Sequence, residues 1–315
     1  VRSFPGGGTL NYQIRGVAPR ANLISYKACE KDSCAGSWTL AALNQAVADG
    51  VDVINYSIGG GNVNPWGNSN ALAMLDARNA GIVVAVAAGN RGPDVATVTS
   101  PSDAPWVLSV ANTTHGRRFV NRVRFSGGGL PLPGGGVLEG EGLTGGTGPA
   151  PLARDPLHPL CSQGSGDTTL PVTGASNPWG PGRWNGEIVV CDRGVQARVA
   201  KSNNVRLSGG SGTLLLNTAA EGESTVADEH SIPTVHLGYQ AGQAVLQWLA
   251  SGAGHRAAID GVSAEVQPVF ADVLNGSSGR GPSSAVPAVL KPDLAAPGTS
   301  ILSAAHQGSG DATLT

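Results

Sequence analysis

The sequence predicts an α/β protein: a parallel-sheet core interrupted by a second, mostly β domain. Three observations carry this prediction. Strand-like and helix-like runs alternate over roughly the first ninety residues, the signature of parallel strands joined by crossover helices. The run Gly81-Ile-Val-Val-Ala-Val-Ala-Ala-Gly-Asn90 is apolar along its length and reads as a strand buried on both faces of such a sheet. From about residue 121 to 268 the vocabulary changes to glycine, proline and short β-prone runs, and from Val269 it returns to that of the core.

Taken in order, residues 21–27 have strand character. Residues 38–49 carry Leu40, Leu43 and Val47 at helical spacing and end at Gly50. Residues 51–58 form the next strand, closed by Gly59-Gly60-Gly61. A helix over 69–79, stopped at Gly81, leads into the apolar run, and 107–111 add a short strand. The middle section offers strands at 187–191 and 212–217 and helices at 196–207 and 239–251. A last strand is expected at 300–304. The domain limits are therefore set at 1–121 and 269–315 for the core and 122–268 for the insert. No repeat of solenoid period occurs.

Composition bounds the function. With 47 glycines and only 13% charged residues, the 315-residue chain is a loop-rich globular protein, long enough for two domains. A formal charge of -2 supplies no general attraction to nucleic acid or acidic lipid. The local exception, Arg117, Arg118, Arg122 and Arg124 around Phe119 and Phe125, alternates as a solvated strand face does. No apolar run approaches the length of a membrane span, and Val1-Arg2-Ser3 resembles neither a signal peptide nor a natural start, so the chain reads as an excerpt. Its four cysteines lack the spacing of a zinc site, which favours disulfides and an extracellular, oxidising compartment. Three pairings are open, and proximity in sequence favours Cys29 with Cys34, leaving Cys161 with Cys191.

Five blocks then occur in a telling order: Gly16-Val-Ala-Pro-Arg-Ala21; Asp49-Gly-Val-Asp-Val-Ile-Asn55 with Ser57-Ile-Gly59; Val86-Ala-Ala-Gly-Asn-Arg-Gly-Pro93; Ser277-Ser-Gly-Arg-Gly-Pro282; and Lys291-Pro-Asp-Leu-Ala-Ala-Pro-Gly298. Together they resemble the subtilisin-like serine proteases. The middle section, with Gly186-Glu-Ile-Val-Val-Cys-Asp-Arg-Gly194, Gly209-Gly-Ser-Gly212 and Ile232-Pro-Thr-Val235, is similar to the protease-associated domain that cucumisin-like members carry at this place. The resemblance covers essentially the whole chain and implies a subtilisin-like core, incomplete here, acting on protein or peptide substrates by acyl transfer. It matches Asn90 to the family's oxyanion donor, Ser57, Ile58 and Gly59 to its substrate-binding strand, and Ala87, Ala88 and Gly89 to one wall of its primary specificity pocket.

The same resemblance exposes what is missing. The Asp and His blocks of the family precede the Gly-Val-Ala-Pro motif, and the residues before Gly16 contain neither Asp nor His. The nucleophile block lies beyond the Lys-Pro-Asp segment. Gly298-Thr-Ser300 copies three of its letters, but it follows Ala296-Pro297 directly and runs into a strand pattern, whereas a nucleophile of this kind begins a helix. His158, His230, His236 and His255 fall in the insert, and His115 and His306 match no catalytic block. The triad is thus unrecognised in this chain, which is expected to be inactive alone. Gly279 is an insertion relative to the usual Ser-Ser-Arg-Gly-Pro, and Gly6-Gly-Gly8 compresses the first block. No motif supports a metal or nucleotide, so no cofactor is expected; calcium sites and oligomeric state are not legible. The rival readings are a non-catalytic peptide- or protein-binding module on the same scaffold, and a nucleotide-binding α/β enzyme, for which the glycine fingerprint is absent. An isolated parallel sheet with uncovered strands is expected to aggregate.

Overall fold

The computed structural model describes residues 2–4, 6–10, 15–30 and 33–301. In chain order the elements are β1 (Arg2–Ser3), β2 (Thr9–Leu10), α1 (Gly36–Ala48), β3 (Val53–Tyr56), α2 (Ser69–Asn79), β4 (Val83–Ala87) and β5 (Leu108–Thr113). There follow β6 (Arg117–Ser126), β7 (Val137–Glu141), β8 (Thr147–Ala153), β9 (Ile188–Asp192), α3 (Arg198–Leu207), β10 (Gly212–Leu216), β11 (Thr234–Leu237), α4 (Tyr239–Leu249), β12 (Arg256–Ile259), β13 (Ser263–Val266) and β14 (Leu294–Pro297). The chain divides into two compact units. One comprises residues 15–115 and 271–298; the other comprises 116–270 with the described residues of 1–14 and 299–315.

The first unit is a four-stranded parallel sheet in the order β14-β5-β4-β3. Helices form on one side because their small residues recur at the right spacing. In α2, Ala71, Met74 and Ala77 are fully buried, and the Asn68 side chain caps the helix by accepting from the N–H groups of Asn70 and Ala71. In α1, Leu43 and Ala46 point into the same core, joined by Ile54, Val84 and Val86 from the sheet. Both helices are released by glycines at positive φ, Gly50 at 67° and Gly81 at 89°.

Three expectations change here. The strand at 81–90 is not buried on both faces: α1 and α2 cover one side, while Val53, Val83, Leu294 and Leu108 on the sheet remain 60%, 52%, 43% and 36% exposed. Burial therefore alternates along β3 and β4 as in a one-sided sheet. Residues 21–27 form no strand; Leu23 is 93% exposed, and only Tyr26 packs on the core, its hydroxyl donating to Asp49 at 2.6 Å. Among the described residues the last strand is β14, which pairs with β5 from Leu294↔Val110 to Pro297↔Thr113. Ser300 instead lies in a turn, and residues beyond 301 fall outside those described.

The second unit is an eight-stranded mixed sheet ordered β12-β8-β9-β10-β11-β7-β6-β13, and β12 also pairs with β6. That extra pairing closes seven strands into a ring, with β13 continuing along β6 where β12 leaves off. Closure removes the free edges that make open sheets prone to association. Alternation then sorts the side chains. Ile188, Val190, Leu214, Leu216, Val235 and Leu237 join Val245 and Trp248 of α4, while Val189, Cys191 and Leu215 pack with Val205 of α3 and Trp184. The Cys161–Cys191 disulfide lies in that second cluster. The ribbon β1–β2 belongs here because Phe4 packs with Phe119 and Leu143 and Gly145 donates to the Gly6 carbonyl at 2.7 Å. On β6 the arginines are ion-paired rather than merely solvated: Arg118 and Arg122 both meet Glu139 and Glu265, and Arg124 meets Asp260.

A polar centre lies between α3 and the 218–231 segment. Arg198 clasps Asp228, His230 Nδ1 lies 2.8 Å from Ser202 Oγ, and His236 Nε2 lies 2.7 Å from Asn217 Oδ1. Burial disfavours the charged rings and holds His230 at about 4 and His236 at about 3, while it lifts the Glu141 carboxyl to about 7. The histidines bind fewer protons folded than unfolded, so their contribution is complete above the unfolded value of 6.5 and is lost as pH falls through that value. Glu141 acts oppositely, holding its proton in the folded state as pH rises from 4.5 toward 7.

Two outcomes are expected. Between about pH 6.5 and 4.5, two histidines against one carboxyl leave a net loss of about 1.4 kcal/mol per pH unit on acidification, and His236→Gln flattens that slope; denaturant titrations at several pH values measure it. Separately, replacing Val53 and Val83 by threonine preserves strand propensity, removes exposed apolar surface and reduces self-association, as read by light scattering against concentration.

Candidate functional site

Parallel strands present their carboxyl ends on one edge, and β3 and β4 run in register to the end, with Tyr56 opposite Val86. The two segments singled out in sequence therefore leave the sheet side by side: Ser57, Ile58 and Gly59 after β3, and Ala88, Gly89 and Asn90 after Ala87, the last residue of β4. Ser57, Gly59, Ala87 and Asn90 are exposed, Ile58 and Gly89 are half-buried, and Ala88 is buried. The structure brings all seven expected site residues to one edge. Asn90 carries its amide into solvent immediately past the strand, where it can donate to an anionic oxygen.

Backbone geometry here depends on glycine. Gly89 has φ 99°, and a Cβ on it would fall 2.7 Å from Thr99 Oγ1; one on Gly59 would fall 3.2 Å from the same atom. Thr99 thus stands between the two segments and donates its N–H to the Ala88 carbonyl at 3.4 Å. The loop holding Gly279 braces the other side. Gly279 donates to the Gly89 carbonyl at 2.8 Å, Gly92 donates to the Ser277 carbonyl at 3.0 Å, and a Cβ on Gly279 would lie 2.3 Å from the Ala88 oxygen. Residue 279 needs to be glycine because it seats against the strand end.

Beside the glycine run lies a cleft of about 250 Å³, walled by Thr39, Tyr56, Ile58, Gly59, Asn70 and Ser100. Cys34, disulfide-bonded to Cys29, also borders it. Sequence reading missed Thr39, Asn70, Thr99 and Ser100. The Thr97-Val-Thr-Ser-Pro-Ser102 stretch was a visible hydroxyl cluster between two strands, but its partners lie far away in sequence and left no local signal.

One arrangement invites a wrong reading. Ser202, His230 and Asp228 line up as a nucleophile, base and acid do, with His230 Nε2 4.0 Å from Asp228 Oδ2. Ser202 has no exposed surface and its hydroxyl donates to the Val199 carbonyl at 3.0 Å, so no substrate reaches it. His158 contacts Asp155 at 3.3 Å and His255 bonds the Ser251 carbonyl at 2.9 Å, both within the insert unit. Ser300 is buried in its turn and starts no helix, and His306 lies outside the described residues. Among the described residues no cluster of His, Cys, Asp or Glu is placed to hold a metal ion, and no helix is long and apolar enough to cross a membrane.

A four-stranded parallel sheet with two helices on one side, a glycine-bounded cleft and an exposed Asn at the strand ends make up an α/β core. The chain belongs to the subtilase family: the profile of that family, Peptidase_S8, matches residues 5–315. Among curated proteins it is similar to subtilisin-like proteases SBT1.7 (35% identical, covering 95% of this chain and 38% of that protein) and SBT1.6 (38% identical, covering 92% and 37%) of Arabidopsis thaliana. Subtilisin-like protease SBT1.5 of the same plant is 36% identical over 96% of the chain. The chain spans 37–39% of the length of these three relatives.

The glycine geometry predicts a contrast. Gly279→Ala forces backbone apart at the Ala88 carbonyl and lowers stability by about 1–3 kcal/mol, whereas Gly60→Ala, with nothing within 4 Å of the added carbon, changes it by less than about 0.5 kcal/mol; thermal unfolding distinguishes the two.

Proposed function

We propose that this chain is the central portion of a secreted subtilisin-like serine endopeptidase that, when intact, hydrolyses peptide bonds by a Ser/His/Asp mechanism. The observation that carries this reading is the convergence of Ser57–Gly59 and Ala87–Asn90 on one edge of adjacent parallel strands. An extended peptide lies along Ser57, Ile58 and Gly59 as an added strand. No hydrogen bond among the described residues uses the Gly59 backbone, so its groups remain available. Ala87, Ala88 and Gly89 wall the pocket for the side chain before the scissile bond, and the Asn90 amide donates to the oxyanion as the carbonyl becomes tetrahedral. The chemistry calls for no cofactor.

The unit built around residues 116–270 is read as a protease-associated domain, on the motifs from Gly186 to Val235 and their place between the Asn block and the last core block. Two disulfides support an oxidising, extracellular setting. No Asp, His or Ser of the triad is recognisable in the sequence, so the chain alone is proteolytically inert, and the nucleophile, base and orienting acid come from flanking sequence or a separate chain.

Reaction with a fluorophosphonate probe that labels activated serines, followed by peptide mapping, tests this reading. The expected result is labelling only in a polypeptide extended at both ends, on a serine beyond Thr315. Labelling at Ser300 overturns the assignment of the blocks, and no labelling in either polypeptide favours a peptide-binding module without catalysis.

A further inference from the structure

Asp103 is a carboxylate with 1% of its surface exposed, in the turn between β4 and β5, and it contributes to none of the chemistry above. Its two oxygens take separate tasks. Oδ1 lies 3.1 Å from Ser100 Oγ, and Oδ2 accepts from Ser283 Oγ at 3.0 Å. Both serines are as buried as the carboxylate, so neither hydroxyl is offered to solvent.

Each serine in turn holds a stretch of backbone. Ser100 Oγ accepts the Val63 N–H at 3.2 Å, and its one hydroxyl hydrogen is shared between the Val63 carbonyl at 2.5 Å and Asp103 Oδ1 at 3.1 Å. Its own backbone accepts from Gly60 N–H at 3.0 Å and donates to the Gly61 carbonyl at 3.3 Å. Ser283 Oγ accepts the N–H groups of Ala285 and Val286 at 3.1 and 3.2 Å. Those two bonds occupy both lone pairs of Ser283, so its hydroxyl hydrogen has one use, which is to reach Asp103. The carboxylate therefore joins the turn that grips the segment Gly60–Val63 to the loop at 283–286. Gly60 and Gly61 have no side chains to pack, and Gly61 has φ 72°, so hydrogen bonding from Ser100 is what fixes their course.

We propose that Asp103 is a positioning residue for the peptide-binding edge: through Ser100 it fixes Gly60–Val63, and so sets the direction in which Gly59 presents its backbone to an extended peptide. This deepens the peptidase reading and rests on it for the identity of the ligand. The Asp103 carboxylate touches no substrate and acts only through the serines.

The decisive comparison is Asp103→Ala with Asp103→Asn in the full chain. Alanine strands the Ser283 hydroxyl and frees Ser100, whereas asparagine can accept from Ser283 through Oδ1 and donate to Ser100 through Nδ2. Amide hydrogen exchange of the peptide-free protein should accelerate about tenfold or more at Gly60 and Val63 in Asp103→Ala, with β3, β4 and β5 unchanged, and Asp103→Asn should restore wild-type rates within about twofold. Affinity for acetyl-tetraalanine amide, read by the protection it confers on Gly59, should follow the same order. Wild-type exchange at Gly60 and Val63 in the alanine variant overturns the proposal, as does equal acceleration across β3–β5, which marks an ordinary core residue. Should Asp103→Ala fail to fold, Ser283→Ala, which removes one of the two grips, serves in its place and must accelerate the same amides. A wild-type chain that gives Gly59 no protection with the peptide defeats the peptidase reading, and the peptide-free exchange still decides the role of Asp103.

Discussion

Parallel strands end with carbonyl groups that no neighbouring strand satisfies, and the edge where the candidate site lies is built from the solution to that constraint. Thr99 supplies an N–H to Ala88, Gly279 supplies one to Gly89, and Ser100 supplies one to Gly61. Each donor belongs to a segment remote in sequence from the strand it serves. The edge is consequently hydrogen-bonded where these loops occupy it and open at Gly59 and Asn90, the combination that the proposed binding of an extended peptide uses.

Much of this was legible in the sequence for a physical reason. Helix α2 is signalled by a capping Asn68, small residues at helical spacing and a terminating glycine, all local features. The blocks around Ser57 and Asn90 sit at strand ends marked by glycines, so their convergence on one edge follows once the strands are parallel. What failed was non-local. An apolar run such as 81–90 reports hydrophobicity but not how many layers cover it, and the covering is a property of the helices that pack there. Residues 21–27 have the composition of a strand but lack a partner, and composition cannot supply one. The strand β14 went unread because of proline: Pro297 ends it, and its lack of an N–H does not matter at a terminal position. The roles of Thr99, Ser100 and Asp103 were invisible because their partners are set by the tertiary path.

The two units solve the problem of sheet edges differently. The core sheet keeps a bare face, with Val53 and Val83 turned outward, whereas the insert closes seven strands on themselves and leaves α3 and α4 to cover what remains. The insert also buries charged and polar groups. Arg198 of α3 meets Asp228 and Ser202 of α3 meets His230, both in the 218–231 segment, while His236 of β11 meets Asn217, a paired polar interior that tolerates little change in protonation.

Ring closure has a further effect on how the chain is threaded. The strands that meet last, β6 and β12 with its continuation β13, are also those nearest the entry and exit of the insert, and Gln267 donates to the Gly116 carbonyl at 2.7 Å. In the core unit, Thr114 and Val273 are likewise joined by a 2.9 Å hydrogen bond. More than 150 residues thus begin and end at a single stitch. For the polymer, closure entropy grows only with the logarithm of loop length, so closing so long an excursion costs about 3 kcal/mol more than closing a hairpin.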